Sequence, residues 1–162
     1  MLIREACFPS DSDRLKSVIL EYVKWLDMDL SYRGFAEEME KFDGLFTLPH
    51  GLFLLAEAGQ EIAGCVGLLR HTPDTAEVKR LYVRPAYRGQ GLGEKLMHTL
   101  MERARLLDYQ QLILDAVPQT SVAQGLYRAI GFQESAPYYP DPVQGTRFFT
   151  RSLQSVLHRP VA

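Results

Sequence analysis

The segment Arg88-Gly89-Gln90-Gly91-Leu92-Gly93 is the part of this 162-residue chain best able to grip a charged ligand. It follows a strand-like run, Val78 to Val83, and opens an amphipathic helical pattern. Bare glycine backbone lets a ligand oxygen come close to N–H groups. The first turn of a helix leaves N–H donors without partners, and the helix dipole adds partial positive charge there. A pyrophosphate suits such a cradle, and Arg88 adds a charge-assisted contact. Counted from Gly89, the glycines fall at the first, third and fifth positions, whereas a Rossmann fingerprint places its third glycine at the sixth. A Walker loop ends in Gly-Lys-Ser/Thr, and here Gly93 is followed by Glu94-Lys95-Leu96. Neither nucleotide motif fits.

The run Val83 to Gly93 resembles the acyl-CoA loop of the GNAT N-acetyltransferases. The family's Arg/Gln-x-x-Gly-x-Gly/Ala pattern is met by Arg88, Gly91 and Gly93. A second block, Ala123, Leu126-Tyr127 and Gly131-Phe132, matches its Ala-x-x-Leu-Tyr-x-x-x-Gly-Phe. The resemblance implies an α+β fold, a mostly antiparallel twisted sheet of about seven strands flanked by four helices. It implies direct transfer of an acetyl group from acetyl-CoA to a primary amine in a ternary complex, with no metal. It places the cofactor on the whole loop, Arg88, Gly89, Gln90, Gly91, Leu92 and Gly93. The pantetheine arm would pair with the main chain of Leu81, Tyr82 and Val83. The family often carries asparagine three residues before the alanine of its second block; Thr120 stands there and offers a hydroxyl instead.

Acyl transfer from a thioester also needs a proton acceptor for the amine and a proton donor for the leaving thiolate. Tyr127 matches the family's thiolate-protonating tyrosine. Glu77, six residues before Val83, matches the glutamate base of the histone-acetylating branch. Strand alternation puts Glu77, Lys79, Leu81 and Val83 on one face. Pairing of Glu77 with Lys79 or Arg70 is the competing reading, and Asp115, His71 or water are the other proton acceptors. Cys65, a possible nucleophile, lies in the apolar run Ile62 to Leu69, where a free cysteine is usually a small core residue. In this fold the first two helices and the last loop wall the acceptor side. Trp25, Tyr32, Phe35, Tyr138 and Tyr139 would line it, and Arg33, Asp141 and Arg147 would orient a polar ligand. The favoured acceptor is a small molecule, amino acid-like or a short peptide. A protein lysine or N-terminus, or an acyl-CoA sensor without turnover, are the alternatives.

The elements that must position these residues are legible from periodicity. Leu2 to Cys7 reads as a strand. Leu15, Val18, Ile19, Tyr22, Val23 and Leu26 form one helical face, and Phe35, Met39 and Phe42 suggest a shorter second helix ending near Gly44. Strands follow at 52–56, 62–69 and 76–83, then a helix over 92–107, a strand at 112–116, a helix over 121–130 capped by Gly131, and strands near 133–136 and 147–153. Residues 1–156 read as a single domain and 157–162 as a loose tail. Hydrophobic residues make up 46%, and the net charge of −2 gives no bulk attraction to nucleic acid. There is no run of 18 apolar residues, and Cys7 and Cys65 have no metal spacing. The expectation is a cytoplasmic enzyme, monomeric or homodimeric, without a membrane or nucleic-acid partner.

Overall fold

A computed structural model describes residues 1–153. The expected tail, 157–162, and the last three residues of the expected domain lie outside the described residues. The elements are β1 (Leu2–Glu5), α1 (Ser12–Leu26), α2 (Phe35–Glu40), α3 (Phe42–Leu45), β2 (Leu52–Ala58), β3 (Glu61–Thr72), β4 (Thr75–Val83), α4 (Leu92–Leu106), β5 (Gln111–Ala116), α5 (Ser121–Ala129), β6 (Gln133–Ser135) and β7 (Arg147–Ser152). One difference from the sequence reading lies at Lys41, where the expected second helix divides into α2 and α3. The break lets Phe42 and Phe46 turn inward onto Phe53, with ring centroids 5.3 and 4.9 Å away. No helix among the described residues is long and apolar enough to cross a membrane.

The seven strands form one sheet in the order β1-β2-β3-β4-β5-β7-β6. Every pairing is antiparallel except that of β4 with β5. Helices α4 and α5 cover one face. Leu96, Leu100 and Ala104 recur at helical spacing and are fully buried there with Met97. Helices α1 to α3 cover the other face, burying Leu15, Ile19, Phe42 and Phe46 against Phe53, Leu55 and Cys65. Each such side chain contributes about 1.5–3 kcal/mol on burial. Helix α5 ends in a Schellman closure: Phe132 N–H donates to the Tyr127 carbonyl at 2.9 Å and Gly131 N–H to that of Arg128 at 3.2 Å.

Two irregularities shape the middle of the sheet. First, β4 and β5 pair in parallel only over Thr75–Glu77 and Gln111–Ile113. Beyond Glu77 the strands part, so the β4 edge from Val78 to Val83 has no strand beside it on that side. Second, β4 carries a bulge. Cys65 pairs with Tyr82 but Gly67 pairs with Lys79, so three steps along β4 span two along β3. The extra residue is Arg80, at φ 59°, a left-handed conformation that costs a non-glycine residue about 1–3 kcal/mol. The bulge overturns the expected alternation. Leu81 and Val83 pack on the α4 face with Ala76 and Val78. Glu77 and Lys79 point to the opposite face, where they meet Arg33 and Glu38.

Candidate active site

The glycine loop makes the strand-to-helix turn that its sequence predicts. After a short 3-10 turn over Pro85–Tyr87, Gly89 and Gly91 take φ of 80° and 73°, and Gly91 is the N-cap of α4. No side chain caps that helix, so its first-turn N–H groups remain available to a ligand. A Cβ added at either glycine would meet nothing within 4 Å, so open space lies before the loop.

That space is a cleft of about 400 Å³ between the β4 edge, the loop and the start of α5. Leu81, Tyr82, Val83, Arg88, Gly89, Gly91, Leu92, Gly93 and Thr120 line it; Gln90 is exposed outside it. The hydroxyl of Thr120 donates to the Val117 carbonyl at 2.8 Å, which closes the turn before α5. Arg88 is anchored through Nε to the Val83 carbonyl at 2.9 Å. Its guanidinium lies over the rings of Trp25 and Tyr82, 5.4 and 5.7 Å from their centroids. Trp25 is 44% exposed and lines this cleft, not the acceptor side expected of it. It is the one tryptophan of the chain. Acetyl-CoA should therefore change its fluorescence saturably, with a midpoint equal to the calorimetric Kd. A flat trace at concentrations that calorimetry shows to be saturating would place the cofactor elsewhere.

A smaller cavity of about 50 Å³ adjoins the cleft, and Tyr22, Leu81, Thr120 and Ala123 line both. Tyr127, Asp115, Arg33, Tyr32, Lys79 and Arg80 also border the smaller one. Tyr127 is 7% exposed and packs on Phe132 and Phe149, at 5.8 and 6.0 Å between centroids. Burial raises its phenol pKa far above the usual range, with the charges of Tyr22 and Asp115 adding to the effect. The proton thus stays on Tyr127 at any ordinary pH. Burial likewise pushes the Cys65 thiol up to about 12, so it is a core thiol and a poor nucleophile.

Glu77 is 7% exposed, and its partner is neither Lys79 nor Arg70. Its Oε2 accepts from Arg33 Nη2 at 2.6 Å and from the Tyr138 hydroxyl at 2.5 Å. Asp115 Oδ2 accepts from the Tyr139 hydroxyl at 2.6 Å, and Arg33 Nε lies 3.6 Å away. The Arg33 guanidinium sits 4.0 Å from the Tyr139 ring centroid. One arginine from the turn after α1, two carboxylates from β4 and β5, and two tyrosines from the β6–β7 loop therefore make one cluster. His71 touches it only through the edge of Tyr138. Arg147 lies apart from it, paired with Glu134 at 3.0 Å, and Asp141 is exposed. Phe35 packs under Arg80, 5.3 Å from its guanidinium.

A second charged cluster has no counterpart in the sequence reading. Glu38 of α2 binds Lys79 Nζ at 2.5 Å and Arg80 Nη2 at 3.0 Å. Burial alone would raise the pKa of this carboxyl, but the charges of Arg80 and Lys79 outweigh it and hold the pKa below the ordinary value. Phe35 and Phe42, three residues before Glu38 and four after it, were the sequence signal that this carboxylate shares the inward side.

Comparison with known proteins fixes what this arrangement belongs to. The model of the acetyltransferase (GNAT) family matches residues 19–132. The chain belongs to the GNAT acetyltransferase family. An uncharacterized N-acetyltransferase of Schizosaccharomyces pombe is 34% identical to this acetyltransferase over 83% of its chain and 84% of the relative. A GNAT-family acetyltransferase structure from Staphylococcus aureus matches with a TM-score of 0.79 at 24% identity, covering 94% of this chain and 99% of that one. An acetyltransferase structure from Salmonella typhimurium, solved with its cofactor acetyl-CoA, matches at 0.66 and 22%, over 94% of each chain. Both structures share the fold of this acetyltransferase, as the loop and the Tyr127 block imply.

Proposed function

We propose that this enzyme acetylates the primary amine of a small molecule, with acetyl-CoA as donor, in a ternary complex. The observation that carries the reading is the parting of β4 from β5. The unpaired β4 edge runs from the glycine loop to the cavity shared by Tyr127 and Asp115. An open strand edge holds an extended ligand by main-chain hydrogen bonds. The loop N–H groups and Arg88 suit a pyrophosphate at one end of the cleft. Acetyl-CoA, once bound, supplies the activated acyl group. Tyr127 gives a proton to the sulfur as the carbon–sulfur bond breaks.

Asp115 receives the proton that the amine sheds as its nitrogen bonds to the acyl carbon. Of the two carboxylates, Asp115 borders the cavity with Tyr127, while Glu77 lies behind it in the hold of Arg33 and Tyr138. Glu77 then acts by fixing Arg33. The narrow end of the site, a cavity of about 50 Å³ bordered by Tyr32 and Arg33 of the turn after α1, supports a small acceptor over a protein chain.

Thiol release, measured with free amino acids, simple amines, peptides and folded proteins at equal amine concentration, tests the reading. Faster transfer to proteins than to any small amine would overturn it, and no thiol release with any acceptor would leave a sensor. The choice of base is tested by pH–rate profiles. A lysine-like amine has a pKa of about 10.4, so a base matters most at low pH and less as free amine accumulates. Asp115→Asn should therefore lose most activity at low pH and approach wild type as pH rises. Glu77→Gln should lower the rate with a parallel profile; the reverse pattern would make Glu77 the base.

A further inference from the structure

The two charged clusters beside the small cavity carry opposite excess charge. Glu38 faces two cations, Lys79 and Arg80, which leaves one positive charge over. Glu77 and Asp115 share one cation, Arg33, which leaves one negative charge over. Each cluster also keeps an uncommitted atom. Arg80 gives Nε and Nη2 to Glu38, leaving Nη1 without a partner among the described residues. Asp115 receives Tyr139 and faces Arg33 on Oδ2 alone, leaving Oδ1. Both residues border the same cavity. Their charges also meet across it: the phenols of Tyr22 and Tyr32 both feel Arg80 and Asp115, in opposite senses.

Resting on the reading of this cavity as the acceptor site, we infer that the acceptor is an amino carboxylate. Its amine lies against Asp115 and its carboxylate against Arg80, which makes Arg80 the specificity-determining residue. A zwitterion cancels both excess charges at once and brings no net charge into a half-buried site. A simple amine cation would leave Arg80 uncompensated, and a dicarboxylate would add negative charge beside Asp115; unpaired charge in such surroundings is costly. Arg33 is the poorer carboxylate clamp, because its single charge is already outnumbered by two carboxylates, Glu77 and Asp115, and a third would add to the negative excess. The bulge gives Arg80 its place: a regular strand would turn that side chain to the α4 face, away from Glu38.

The test compares kcat/KM for L-amino acids with that for their carboxamides, using wild type and Arg80→Gln. A carboxamide keeps the shape, removes the negative charge and makes the amine less basic, which by chemistry alone favours it. Wild type should nevertheless prefer the acid by about tenfold or more, the worth of a charge-assisted hydrogen bond. That preference should collapse in Arg80→Gln and return in part in Arg80→Lys. The ratio is taken within each variant, so partial unfolding does not change it, and the wild-type comparison needs no variant. Carboxamides or decarboxylated amines used as well as the acids would overturn this inference and leave small-amine transfer standing. A preference unchanged in Arg80→Gln would overturn Arg80's role, and failure of every small amine would overturn both readings.

Discussion

Replacing Gly91 by glutamate is expected to cut acetyl-CoA affinity by at least about a hundredfold. Two costs combine. At φ 73° a side chain of any kind is strained, by about 1–2 kcal/mol. The new carboxylate would also stand at the N-terminus of α4, in the open space where the loop is proposed to receive a pyrophosphate. Like charges brought together in a binding site cost several kcal/mol, and each 1.4 kcal/mol is a factor of ten. Gly91→Gln separates the terms, because it has the shape without the charge and should lose much less. The gap between the two variants should shrink as salt is raised. The strain itself should appear as a lower Tm, about 2–4 °C for each kcal/mol in a chain of this size. Gly125→Ala, on an exposed turn of α5, should bind as wild type does. Calorimetry that finds Gly91→Glu binding normally would remove the loop from the cofactor site.

The loop could be read from sequence because its physics is local. A strand, glycines and a helix start follow one another within a few residues, and the conformations that Gly89 and Gly91 adopt need no distant partner. The same holds for the end of α5, where Gly131 and Phe132 close the helix on Arg128 and Tyr127. Sheet membership and the two helical layers followed from periodicity for the same reason.

What sequence could not supply was whatever depends on contact between remote elements. The bulge at Arg80 is a mismatch of register between β3 and β4, stabilised by Glu38 from α2, 42 residues away. Alternation counted along β4 alone therefore put Glu77 and Leu81 on one face, and the extra residue reverses it. The cluster around Glu77 draws on Arg33 and Tyr138, 44 and 61 residues distant. Arg33, Tyr138 and Tyr139 were expected from sequence to lie near one another, and they do. That they bind the two carboxylates, while Arg147 turns away to Glu134, became visible only with the chain folded.

Tyr127→Phe is expected to lower turnover about a hundredfold or more while leaving acetyl-CoA affinity within a few-fold of wild type. The ring is a packing group, held between Phe132 and Phe149, and phenylalanine keeps that packing. The hydroxyl has no hydrogen-bond partner among the described residues and borders the cavity that Asp115 shares. Its removal should cost little stability, so Tm serves as the control. What is lost is a proton donor at the sulfur as negative charge develops there, a contribution of roughly 10²- to 10⁴-fold for a positioned acid. The direction of the pKa shift fixes the pH behaviour. Burial favours the neutral phenol, so its pKa lies above the ordinary tyrosine value of about 10. Wild type should then show no fall in rate from loss of the Tyr127 proton up to about pH 10. The sulfur of a thioester carries no proton of its own, so without a donor it must leave as the bare thiolate at every pH. The deficit of Tyr127→Phe should therefore persist across the pH range in which Tyr127 keeps its proton. Single-turnover kinetics, in which chemistry limits the observed rate, give the decisive measurement. A variant with wild-type single-turnover rates across the pH range would reduce Tyr127 to a packing residue and leave the thiolate to solvent.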